Sequence, residues 1–110
     1  MDFERNKMIP EQRIKDLILE ALKNVKDSEA VYQNLELSDE TIILGNQSPF
    51  DSIAFTAFAT DFEEKMEDEI GEQYVLNLEE IFSLHGRKTK ITVKELAKLV
   101  NKLVGSSKKL

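Results

Sequence analysis

Among the 110 residues of this chain, Ser52 has the setting that most invites chemistry. It follows the Gly/Pro-punctuated loop Leu44-Gly45-Asn46-Gln47-Ser48-Pro49-Phe50-Asp51 and precedes Ile53 at the head of an amphipathic run. A serine acts as a nucleophile when a base takes its proton and an oxyanion hole receives the developing charge. The only histidine, His85, stands beside Gly86-Arg87-Lys88-Thr89 and reads as a solvated residue at a helix end. A Ser52–His85 pair would lack the Gly-rich strand-to-helix elbow that supplies an oxyanion hole. No cysteine is present, which removes disulfides, thiolate zinc sites and cysteine catalysis together. The acid run Asp61-Phe62-Glu63-Glu64-Lys65-Met66-Glu67-Asp68-Glu69 lies on a continuous helix, not in a twelve-residue calcium loop with a central glycine. Gly45 and Gly71 are isolated, so no Gly-rich loop cradles a phosphate. The chain is therefore not expected to be an enzyme. A serine at a helix start, where backbone N–H groups and the helix dipole favour a phosphate, suits a group installed by a separate transferase.

The elements that must present Ser52 follow from hydrophobic period. Pro10 suits the first turn of a helix, and Ile14, Leu17, Ile18, Ala21, Leu22 and Val25 make one apolar face, so a first helix is expected over about 10–25. Residues 26–51 keep no sustained period and form a long connection pinned across the core. A short strand at Thr41–Leu44 is the alternative, but no partner strand is apparent for it. The second helix spans roughly 50–70. Phe55, Phe58, Phe62, Met66 and Ile70 fall within about 60° of one line, with Asp61, Glu64, Glu67 and Asp68 opposite. Ile53, Ala57 and Thr60 share that outward side and are candidate contact residues beside the serine. Ser48-Pro49-Phe50-Asp51 reads as a capping box, with Ser48 as N-cap and Asp51 at the third position. Asn77 caps a short third helix that turns Ile81, Phe82 and Leu84 inward and ends at Gly86. Thr92 with Glu95 makes another capping box, opening a fourth helix with the stripe Val93, Leu96, Ala97, Val100 and Leu103 and an end near Gly105. The expected fold is all-α, a four-helix bundle in which residues 1–9 are a flexible arm, 10–104 the domain and 105–110 a flexible basic tail.

Charge is divided along this plan. The net of −6 conceals fifteen acids against two lysines over residues 25–84, and eight bases against one acid over 85–110. The acidic bulk argues against a nucleic-acid grip and favours basic protein partners. No stretch of 18 apolar residues is present, so no stable membrane insertion is expected, and the chain reads as a cytoplasmic monomer.

The loop, the Asp51-Ser52-Ile53 tripeptide, Gly45 before it, the helix order, the acidity and the length together resemble the acyl carrier and peptidyl carrier protein superfamily. The form Ser48-Pro49-Phe50-Asp51-Ser52-Ile53 is most similar to stand-alone bacterial carrier-like proteins with a Ser-Pro-Leu-Asp-Ser-Leu loop. The resemblance covers about residues 10–104. It implies an acyl-carrier-like four-helix bundle with a long first loop and a short third helix. It also implies 4′-phosphopantetheine esterified to Ser52 beside Asp51, its terminal thiol holding an acyl or aminoacyl thioester. A phosphopantetheinyl transferase, an acyl- or aminoacyl-loading ligase and downstream synthases or transferases would then be partners. They would dock on Ile53, Ala57, Thr60, Asp61, Glu64, Glu67 and Asp68. Ala54-Phe55-Thr56-Ala57-Phe58-Ala59 departs from the acids that typically follow the serine, and the last helix is basic. These departures point to a specialised lipid, polyketide or amino-acid pathway rather than the housekeeping fatty-acid synthase. A non-enzymatic helical interaction module with a carrier-like fold, never modified, is the alternative.

Overall fold

Pro10 has φ −61° and hands its carbonyl to the Ile14 N–H at 3.1 Å, which starts helix α1 at Glu11. In the computed structural model, which describes residues 9–45, 48–86 and 90–107 (the last three by backbone alone), α1 covers Glu11–Ser28. All six apolar residues that define its expected face are buried. The helix outlasts that face by one turn and ends at Glu29, whose N–H reaches the Lys26 carbonyl.

The long connection is not plain loop. A 3-10 turn, Ala30–Tyr32, follows α1 directly and buries Tyr32. Strand β1, Ile42–Gly45, then pairs antiparallel with β2, Lys90–Thr92. The strand alternative for Thr41–Leu44 is thus the correct one, and the expectation that it has no partner is overturned. Three residues ahead of the last helix are too few to show a period of two. Ile42 faces Thr92 and Leu44 faces Ile91, leaving Ile43 as the extra residue of a bulge, almost fully buried.

Helix α2 covers Ser52–Ile70 and stops at Gly71, whose φ of 77° is the left-handed conformation a glycine takes without Cβ strain. Helix α3 is Leu78–His85, and Asn77 Oδ1 accepts the Glu80 N–H at 3.1 Å, the cap its sequence predicts. Only its middle contact behaves as expected. Ile81 is buried, but Phe82 and Leu84 are exposed because they flank the single inward line of an eight-residue helix. Helix α4 is Val93–Ser107. Its box is reciprocal: Thr92 N–H to Glu95 Oε1 at 3.0 Å, Glu95 N–H to Thr92 Oγ1 at 3.2 Å. The next free donors of that end, Val93 N–H and Lys94 N–H, reach the carbonyls of Thr41 and Asp39.

The molecule is mostly helical, with α1 packed against both α2 and α4 and the small sheet tying the long connection to the start of α4. Two domain limits shift. Ile9 is buried and its carbonyl accepts from Asn101 Nδ2 at 2.8 Å, so it belongs to the core rather than to the arm. The α4 backbone continues to Ser107, beyond the expected end near Gly105. Residues 1–8 of the arm and 108–110 of the tail lie outside the described residues. No described helix is long and apolar enough to cross a membrane.

Candidate functional site

The start of α2 is built by Asp51, not by Ser48. Asp51 is extended (φ −81°, ψ −179°) and its Oδ1 accepts the Ala54 N–H at 2.8 Å, while its carbonyl accepts the Phe55 N–H at 2.9 Å. The expected Ser48 cap is therefore corrected by three residues. Ser48 serves the preceding turn: its Oγ donates to the Ile43 carbonyl at 2.7 Å and accepts the Phe50 N–H at 3.2 Å. A hydroxyl committed to the end of β1 is not available to a helix.

Ser52 becomes the first residue of the helix and is exposed. Its carbonyl accepts the Thr56 hydroxyl at 2.8 Å, whereas its own hydroxyl has no hydrogen bond among the described residues. From Ser52 a shallow groove of about 570 Å³ runs along the outer side of α2, lined by Ser52, Ile53, Thr56, Ala57, Thr60, Asp61 and Glu64. Five of the seven residues expected at a docking face, Ile53, Ala57, Thr60, Asp61 and Glu64, meet in it beside Ser52. Ile53 is 76% exposed, the most exposed of the large apolar side chains of α2. Thr56 was not anticipated, although its position four residues after Ser52 places it on the same face.

The inward side is shifted from the expected stripe. Ala54, Phe58, Phe62, Met66 and Ile70 are buried at strict steps of four, and Phe55 is half-buried at the margin. The phenyl rings of Phe58 and Phe62 stack at 5.8 Å, and Tyr74 meets Phe62 edge-on at 6.1 Å. Burial, with the Glu63 and Glu80 charges nearby, pushes the Tyr74 phenol well above its ordinary range.

The acids divide. Glu64 and Asp68 are exposed, but Asp68 does not line the groove. Glu67 is half-buried and its Oε2 accepts the Tyr74 N–H at 3.1 Å, as Glu63 Oε2 accepts the Leu76 N–H at 2.8 Å. Glu67 is therefore a brace for the α2–α3 connection, not a free docking carboxylate. Asp61, half-buried, accepts from Asn24 Nδ2 at 2.9 Å and lies 3.7 Å from Lys65 Nζ.

His85 also departs from expectation. Its side chain is 6% exposed rather than solvated, and Nε2 lies 2.7 Å from the Lys90 carbonyl. A carbonyl only accepts, so that nitrogen carries a proton and the ring fastens the end of α3 to β2. Compared with protein-family models, with curated proteins and with solved structures, the chain matches none of them at a significant level.

Proposed function

We propose that this chain is a carrier protein that receives 4′-phosphopantetheine on the Ser52 hydroxyl and bears an acyl or aminoacyl group as a thioester on that arm. The observation that carries the reading is the uncommitted, exposed hydroxyl at the first residue of α2, opening onto a groove headed by Ile53. Near a helix start, partial positive charge and free backbone N–H groups suit a phosphodiester. No base adjoins Ser52 among its hydrogen-bonded neighbours, and none is needed when the transferase takes the proton. The order of long, long, short and long helices, with residues 29–51 spanning the first connection, supports an acyl-carrier-like fold for the same chain. A basic transferase and loading enzymes would read Ile53, Ala57, Thr60, Asp61 and Glu64 together, and the tethered cargo would gain effective concentration at each of them.

A second reading, an unmodified helical interaction module, is favoured by one observation. The side chains of Asp51 and Ser48 make the hydrogen bonds of an ordinary helix start and turn, to the Ala54 N–H and the Ile43 carbonyl. Intact-mass measurement after incubation with coenzyme A and a broad-specificity phosphopantetheinyl transferase separates the two. The carrier reading expects one phosphopantetheine of added mass, absent in Ser52→Ala and retained in Ser48→Ala. No gain with several transferases would overturn the carrier reading and leave the interaction module.

A further inference from the structure

A capping box has two halves. The N-cap side chain takes the N–H of the third helical residue, and that residue's Glu or Gln side chain returns to the N-cap N–H. At α4 both halves are present, in Thr92 and Glu95. At α2 only the first is present, because the third residue is Ala54, which is buried and has no acceptor. The Asp51 N–H instead donates to the hydroxyl of Tyr32, nineteen residues upstream, at 3.4 Å. The same ring lies 5.3 Å from Phe50 at an interplanar angle of 50°. One loop side chain thus holds the two residues that lead into Ser52.

Tyr32 is itself tightly placed. It closes the 3-10 turn that follows α1, its N–H donating to the Glu29 carbonyl and its carbonyl accepting the Leu35 N–H, both at 3.0 Å. It is 8% exposed and belongs to the main core. The end of α1 is therefore connected to the presentation of Ser52 through one phenol.

We propose that Tyr32 is a positioning residue for the Ser52 site: it supplies the missing half of the α2 cap and so sets the backbone on which the hydroxyl is offered. This rests on the carrier reading of Ser52. Tyr32 does not touch the transferred group; it acts through Asp51.

The test is Tyr32→Phe, which keeps the ring against Phe50 and removes only the acceptor. Amide hydrogen exchange on the unmodified protein, read by NMR, is expected to quicken at Asp51 by about two- to tenfold, the range of one net hydrogen bond, with the α1 core amides unchanged. Steady-state modification with coenzyme A and transferase is expected to show kcat lowered by a similar factor, with KM for the carrier held and the melting temperature lowered by no more than the few degrees that one hydrogen bond accounts for. Wild-type exchange at Asp51 and wild-type kcat in the variant would overturn the proposal. So would a larger fall in melting temperature with kcat and KM altered together, which marks Tyr32 as a mere packing residue. If wild-type protein accepts no phosphopantetheine, the carrier reading fails, and the positioning role falls with it. If wild type is modified and Tyr32→Phe is indistinguishable, the positioning role alone fails.

Discussion

Two hydroxyls four residues apart have opposite fates at this corner. Ser48 is spent on the Ile43 carbonyl and the Phe50 N–H, and Ser52 is left facing solvent. The carboxylate between them does the structural work. Removing it in Asp51→Ala leaves the Ala54 N–H without its side-chain acceptor, which is expected to cost about 1 kcal/mol. Chemical denaturation checks this, with Ser52→Ala as the comparison, expected within about 0.5 kcal/mol of wild type. If Ser52→Ala is the more damaging of the two, the assignment of cap and free hydroxyl is reversed. The residue pattern S-x-x-D was legible, but two acceptors three positions apart, Ser48 and Asp51, both satisfy the local rule. Only the carbonyl of Ile43, from a strand whose pairing is long-range, takes Ser48 out of contention.

Each helix carries its own internal evidence, and connections between helices do not. Asn77 and the Thr92/Glu95 pair act within one turn and were readable as caps. The bracing of the α2–α3 connection by Glu63 and Glu67 was not readable, because nothing local distinguishes these acids from Glu64 and Asp68. Tyr74, seated in that connection against Phe62, supplies an alkaline signature. Its folded-state pKa is raised, burial first and the Glu63 and Glu80 charges after, so the folded protein keeps the phenolic proton at pH values where the unfolded chain releases it. By linkage, its contribution is intact below the unfolded value near 10 and declines as pH rises above it. Stability measured from pH 9 to 11 should fall less steeply in Tyr74→Phe than in wild type. Equal slopes would remove Tyr74 as the source.

For the molecule as a whole, antiparallel contact of α1 with α2 is marked by polar pairs along the seam. Arg13 meets Glu69, Lys65 approaches Glu20, and Asn24 meets Asp61. The Arg13 guanidinium, 2.6 Å from Glu69 Oε2, holds that carboxyl below its usual range, chiefly through the hydrogen bond. Stability from this pair is present above the unfolded carboxylate pKa and is lost as pH falls through the lower folded value. Because both residues are exposed, solvent screens the pair, the effect is small, and salt weakens it further. Glu69→Gln should flatten the acid limb of the stability profile by that small amount at low ionic strength, and an unchanged limb would show the pair to be inert.

The residue order alone determined four helices, the inward face of α1, four of the five residues expected on that of α4 (Val93, Leu96, Ala97 and Val100), two of the caps and a serine delivered at the head of a helix. These depend on interactions within three or four residues, where periodicity and side-chain chemistry are local. Tertiary structure decided the rest: the pairing of β1 with a three-residue strand almost fifty positions away, the inward line of α2 through Ala54 rather than Phe55, the burial of His85 and the hold of Tyr32 on Asp51. Each of these depends on which surfaces meet across the core, and a short segment carries no periodic signal of a partner so distant in the chain.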